Sequence, residues 1–133
     1  MKQIFIFFLL FLIGCQQPIV CVHHDCFTVD IADTPEERGT GLMLRESIDR
    51  NEGMLFTYPD KEIRLFWMKN TKIPLDILWI DDGMVVFVSD DTPPCTTQQC
   101  PVYGPNLSVQ YILEVNAVHN FSIGHKVTFN GIG

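Results

Sequence analysis

The chain has 133 residues, with 16 acidic against 9 basic side chains and a net charge of −7. This length suits one domain. The acidic balance, with no basic stripe and no interleaving of basic and aromatic residues, excludes a nucleic-acid-binding surface and argues against docking on anionic lipid by charge alone.

The chain opens "MKQIFIFFLLFLIGC", with Lys2 followed by an unbroken apolar run from Ile4 to Ile13, then Gly14 and Cys15. That is the charged start, apolar middle and small-residue end of an export signal, and it is short of the roughly 20 apolar residues that span a bilayer. Leu12-Ile13-Gly14-Cys15 resembles the bacterial lipobox, which predicts cleavage before Cys15 and lipid on its thiol. A diacylglycerol plus an N-acyl chain gives stable attachment. Residues 1–14 are therefore expected to be a signal peptide, 15–26 a lipidated tether and 27–133 a single β domain. The expected location is the cell membrane or outer membrane, with the domain in the periplasm or outside. Gln16 after the cysteine points to an outer membrane where one exists.

Within the tether, "CVHHDC" places Cys21 and Cys26 around His23 and His24. Next, "FTVDI" alternates, with Phe27, Val29 and Ile31 on one face, and reads as a half-buried strand. "ADTPEERGTGLM" predicts one short helix: Thr34 as N-cap, Pro35 at the first helical position and Glu37 completing a capping box, with Gly39 and Gly41 limiting its length. A polar stretch leads to a strand at Met54–Tyr58, and Pro59-Asp60-Lys61 reads as a turn. Two apolar strands, Leu65–Asn70 and Leu75–Ile80, flank "TKIP", where Pro74 cannot donate to a ladder and favours extension before it. Asp82-Gly83 is a favoured two-residue turn between apolar runs. Residues 89–107 read as loop and carry Cys95 and Cys100. "VQYILEV" is a strand with Val109, Tyr111, Leu113 and Val115 on one face. Ala117–Ser122 reads as a single helical turn, and "HKVTFN" closes the chain as a strand. Some seven strands separated by frequent turn signals, with one or two short helices, predict a mainly β fold, a compact antiparallel sandwich or barrel.

Four cysteines remain once Cys15 carries lipid, and an exported protein meets an oxidising compartment. They allow three pairings; Cys21–Cys26 with Cys95–Cys100 is the simplest, each stabilising by about 2 kcal/mol at most and pinning a loop. The alternative is a metal site on Cys21, His23, His24 and Cys26, or a four-thiolate zinc site.

The central segment, "LFWMKNTKIPLDILWI", has a polar cluster in the most apolar part of the chain. Alternation puts Phe66, Met68 and Asn70 on one side and Trp67 and Lys69 on the other. Asp76, on the face of Leu78 and Ile80, is expensive to bury alone and is expected to find Lys69, Arg64, Arg38 or Arg45, or backbone N–H groups of the turn. Lys69, Asn70, Thr71 and Asp76 can therefore be turn builders. They can also be polar groups of a small pocket walled by Trp67, Met68 and Tyr103, since pockets are mostly apolar with a few convergent polar groups. Glu114, opposite the apolar side of its strand, reads as solvated or as lining the same cleft. His119 and His125 read as surface or satisfied histidines. There is no nucleophile elbow, HExxH motif or phosphate loop.

"IADTPEERGTGLM", "EGMLF", "FWMKNTKIPLDILWI", "PPC" with "CPVY", and "YILEV", in this order from about Phe27 to Val127, resemble the bacterial and archaeal domain of unknown function 192 family. The chain departs from the family pattern at Ala117-Val118 and at Gly124-His125. The resemblance implies a compact, mainly β, often exported domain, and brings no established reaction, substrate or cofactor. Three functions are then open: an envelope domain binding a small ligand or an envelope protein, an envelope enzyme using Lys69 and Asp76 as acid and base, or a metal-binding lipoprotein.

Overall fold

The computed structural model describes residues 14–133, so the signal segment up to Ile13 lies outside the described residues. The expected mainly β fold is what the chain adopts. Seven strands form one sheet: β1 (Ile19–Val22), β2 (Asp25–Ala32), β3 (Glu52–Ile63), β5 (Leu75–Asp81), β6 (Met84–Thr92), β8 (Ser108–Asn116) and β9 (Val127–Asn130). Their order is β6-β5-β8-β3-β2-β1-β9. Every neighbouring pair is antiparallel except β2 with β3, and helix α1 (Pro35–Thr40) lies on that crossover. Strands β4 (Phe66–Trp67) and β7 (Val102–Tyr103) form a separate two-stranded sheet.

The large sheet curls until its outer strands meet. A bridge joins Met84 to Lys126, and the Val127 N–H donates to the Gly83 carbonyl at 2.9 Å. Inside the curl lies one core cluster, including Val20, Phe27, Val29, Leu55, Leu78, Ile80, Leu113 and Val115. The outer face of β3, β5 and β8 carries a second, with Phe56, Leu75, Ile77, Trp79 and Ile112. Strand β5 is apolar on both faces because both are covered.

Several local expectations hold. The Glu37 N–H donates to Thr34 Oγ1 at 3.1 Å and the Thr34 N–H to Glu37 Oε1 at 3.2 Å, closing the capping box. Asp82 (φ 48°) and Gly83 (φ 71°) make the left-handed pair that a two-residue hairpin turn requires. Both local cysteine pairs are at disulfide distance, Cys21–Cys26 at 2.05 Å and Cys95–Cys100 at 2.10 Å.

Other expectations are corrected. The tether ends well before Cys26: Ile19–Val22 is a strand between β2 and β9, with Val20 and Val22 fully buried and His23-His24 as the hairpin turn. Four residues are too short a run for alternation to stand out. Pro59-Asp60-Lys61 does not reverse the chain but sits in a bulge of β3, between the pairs Thr57–Tyr111 and Glu62–Val109. Gln110 Nε2 holds the bulge by donating to the Tyr58 carbonyl at 2.8 Å. The expected strand Leu65–Asn70 shrinks to Phe66–Trp67, and it pairs with β7 instead of returning beside β5. Ala117–Ser122 forms a turn and no helix.

Candidate functional site

Above the outer face of the sheet lies a cavity of about 230 Å³. Its floor is Glu114. On β8 this residue follows the outward-facing Ile112, and its register partners are Met54 on β3 and Ile77 on β5. It is only 5% exposed. Burial alone pushes its carboxyl up to about 8, with no hydrogen bond or charge acting on it from the described residues. At neutral pH Glu114 is a protonated acid that can both donate and accept.

The walls come from β3 and from the small sheet. Phe56, Tyr58, Leu65, Phe66 and Trp67 line the space, and the Phe56 and Phe66 rings meet edge to face at 4.8 Å. The end of α1 and the chain that leaves it, Gly39 to Met43, line the same space. Gly41 has φ 48°, and a Cβ there would stand 3.1 Å from the Phe56 ring, so the backbone crosses the ring only because this residue is glycine.

Two cations line the same space. Arg38 Nη1 donates to the carbonyls of Asp33 (2.8 Å) and Thr57 (3.0 Å), and its guanidinium lies 4.7 Å from the Tyr58 ring. Arg64 faces the same ring at 3.6 Å. Lys69 Nζ donates to the Thr97 and Gln98 carbonyls at 2.9 and 3.4 Å, inside the loop closed by Cys95–Cys100. That loop is tied to the same segment by its backbone, through the Asn70 N–H to the Cys95 carbonyl (2.9 Å) and the Cys95 N–H to the Met68 carbonyl (3.3 Å). The cavity thus combines apolar walls, a neutral acid at its base and two fixed cations at its edge, the composition of a small-molecule site.

The residues singled out from sequence divide. Trp67 and Lys69 line the cavity. Met68 is fully buried in the outer cluster. Asn70 holds a left-handed turn (φ 54°). Tyr103 pairs with Phe66 across the small sheet and packs on the outer cluster without lining the cavity. Asp76 is on the inner face of the sheet, as Leu78 and Ile80 are, and takes the Asp91 N–H on Oδ1 at 2.8 Å. Burial pushes its carboxyl up to about 6; the Asp91 N–H opposes this and the nearby Asp90 carboxyl adds to it. Lys69 and Asp76 therefore answer to different partners on opposite faces and form no acid–base pair. Asp76 finds none of the side chains expected for it, and the N–H it accepts belongs to Asp91 on β6 and not to the turn before Pro74.

Cys21 and Cys26 are joined to each other. His23 stacks on His125 with ring centres 4.3 Å apart. Among the described residues no group of three or more His, Cys, Asp or Glu side chains is placed to hold a metal ion. His119 is satisfied, with Nε2 2.9 Å from the Arg50 carbonyl and its ring edge to face with Phe27.

Sequence reasoning did not find Arg38, Phe56, Tyr58 or Thr71 as lining residues, and it favoured solvent for Glu114. One signal pointed the other way. "LDILWI" is apolar on both faces, so a strand beside it has both faces covered and an acid on either one is buried.

Comparison with other proteins finds two solved structures similar to this chain. A protein of unknown function from Novosphingobium aromaticivorans is 28% identical, with a TM-score of 0.76 and 83% of each chain covered. A candidate transcription regulator from Sinorhizobium meliloti is 29% identical, with a TM-score of 0.78, covering 86% of this chain and 95% of the other. No curated protein matches. Residues 19–128 match the family described as "Uncharacterized ACR", a span that takes in α1, both sheets, the cavity and its Glu114 floor. The chain belongs to this family, the domain of unknown function 192 family.

Proposed function

We propose that this protein is an exported, lipid-anchored envelope protein whose β domain binds a small molecule in the cavity over Glu114. The observation that carries the reading is a carboxyl raised by burial at the base of an aromatic-walled cavity of about 230 Å³. Taking a carboxyl out of water is a standing cost to the fold, and a ligand that meets it recovers part of that cost. The anchor rests on Cys15 at the end of an apolar run. An acid–base enzyme on Lys69 and Asp76 has no support, because the two face different partners. Regulation of transcription by DNA binding, suggested by the description of the Sinorhizobium relative, does not suit a chain of net charge −7 without a basic stripe.

The test is a thermal-shift and NMR screen of the full chain in detergent against a broad set of small metabolites. The expected outcome is a saturable shift with at least one compound, with perturbed signals of Phe66 and Trp67, abolished in Trp67→Ala. Shifts confined to residues away from the cavity, or none at all, overturn the reading.

A further inference from the structure

We infer that the ligand of this cavity is a zwitterion of amino-acid type, with its ammonium on Glu114 and its carboxylate toward Arg38 and Lys69. This rests on the cavity being a ligand site and names the class of molecule it takes.

Three observations converge. The first is the polarity of the lining: its one acid is at the base, and its two cations, Arg38 and Lys69, are both held by backbone carbonyls of neighbouring segments. A purely cationic ligand meets these cations unfavourably, and a purely anionic one uses Glu114 only as a neutral hydrogen-bond donor, with no opposite charge to pair. A ligand that carries both charges matches both. The second is the wall. Phe56, Phe66 and Trp67 supply aromatic surface, and ring faces attract an ammonium. The third is size. At about 30 Å³ per water, 230 Å³ has room for roughly eight water-sized groups. That suits a medium-sized amino acid and is below the usual range for drug-sized pockets, about 300–1,000 Å³.

The groups facing Glu114 are few. Helix α1 contributes Arg38, β3 contributes Tyr58, and the segment after β4 contributes Lys69. The flanking strand positions are the apolar Met54 and Ile77. Among the described residues no other carboxylate lines the cavity. When the ammonium arrives, the Glu114 proton leaves for solvent and a carboxylate–ammonium pair remains. With its carboxyl near 8, ionising Glu114 at pH 7 lowers the binding constant only about tenfold, which one charge-assisted contact offsets.

The experiment is calorimetry on the full chain in detergent at pH 7, in two buffers of different ionisation enthalpy. The probes are leucine and phenylalanine, their deaminated acids and their decarboxylated amines. The expected result is saturable binding of an amino acid, at least tenfold weaker binding of the matching acid and amine, and release of close to one proton per ligand. Glu114→Gln, which keeps the shape of the side chain, is expected to remove the proton release and the advantage of the amino acid over its acid. Its thermal melt reports whether the variant is folded. Arg38→Lys and Lys69→Ala are expected to weaken the acid and the amino acid alike. An acid that binds as tightly as its amino acid, or binding without proton release, overturns the zwitterion. If only a neutral compound from the wider screen binds at the cavity, the zwitterion fails and the cavity remains a ligand site. If no compound perturbs Phe66 or Trp67, both readings fail.

Discussion

Glu114 and Asp76 are the two carboxyls that the fold takes out of water, one on each face of the sheet. In the unfolded chain they ionise near their ordinary values of 4.5 and 3.8; in the fold they ionise near 8 and near 6. Between each pair of values the native state keeps a proton that the unfolded state has lost, so stability falls as pH rises through both windows. For Glu114 the loss amounts to about 3 kcal/mol by pH 7. The expected result of urea denaturation is a protein more stable at pH 5 than at pH 8. Glu114→Gln is expected to flatten the upper part of the curve and raise stability at pH 7. Asp76→Asn, which keeps an oxygen for the Asp91 N–H, is expected to flatten the lower part, below pH 6. A wild-type curve that is level between pH 4.5 and 8 contradicts the burial of both groups as described. An expensive acid kept at the base of a cavity is better explained by what it binds than by the stability it gives.

At the level of elements, the polar break in "LFWMKNTKIPLDILWI" becomes a junction. Asn70 turns left-handed, its N–H goes to Cys95, and Lys69 caps two carbonyls of the disulfide loop. The Cys95–Cys100 bridge therefore fixes one edge of the cavity, whereas Cys21–Cys26 joins register partners across the β1–β2 hairpin. The double variant Cys95→Ser/Cys100→Ser is expected to lose about 2 kcal/mol and to exchange the Asn70 amide hydrogen faster than the wild type. Cys21→Ser/Cys26→Ser is expected to leave Asn70 exchange unchanged. Equal effects of the two variants would show that the second disulfide has no particular hold on the cavity edge. Apolar runs and alternation located β5, β8 and the first part of β6, whereas Ser89–Thr92, read as loop, continue β6 beside β5. The same patterning overextended β4 and missed β1, since a strand of two to four residues is defined by its partners more than by its own alternation.

For the whole molecule, the reading from the first fifteen residues is tested by Cys15→Ser. The expected outcome is movement of the protein from the membrane fraction to the soluble fraction, with the domain still folded by circular dichroism. Retention in the membrane would show that the attachment lies elsewhere. The described residues contain no helix long and apolar enough to cross a membrane. The curled sheet explains how so short a chain builds two cores: the inner face closes on itself where Met84 meets Lys126, and α1 and the small sheet lie over the outer face.

By itself, the sequence determined the mainly β class, the helix cap at Thr34 and the hairpin at Asp82-Gly83, and it made local pairing of the cysteines the simplest of three. Each of these depends on residues within a few positions of one another, where spacing and backbone preference act directly. It also marked Trp67 and Lys69 as residues of interest. Tertiary structure alone decided that Lys69 and Asp76 belong to opposite faces, that Arg38 from the helix and Glu114 from β8 share one cavity, and that Glu114 is buried. Those outcomes follow from strand order and from the curl that brings distant segments over the same face, and no local pattern encodes either. The burial of a carboxyl depends on what covers it, and here the cover comes from segments roughly 45 to 75 residues away in the chain.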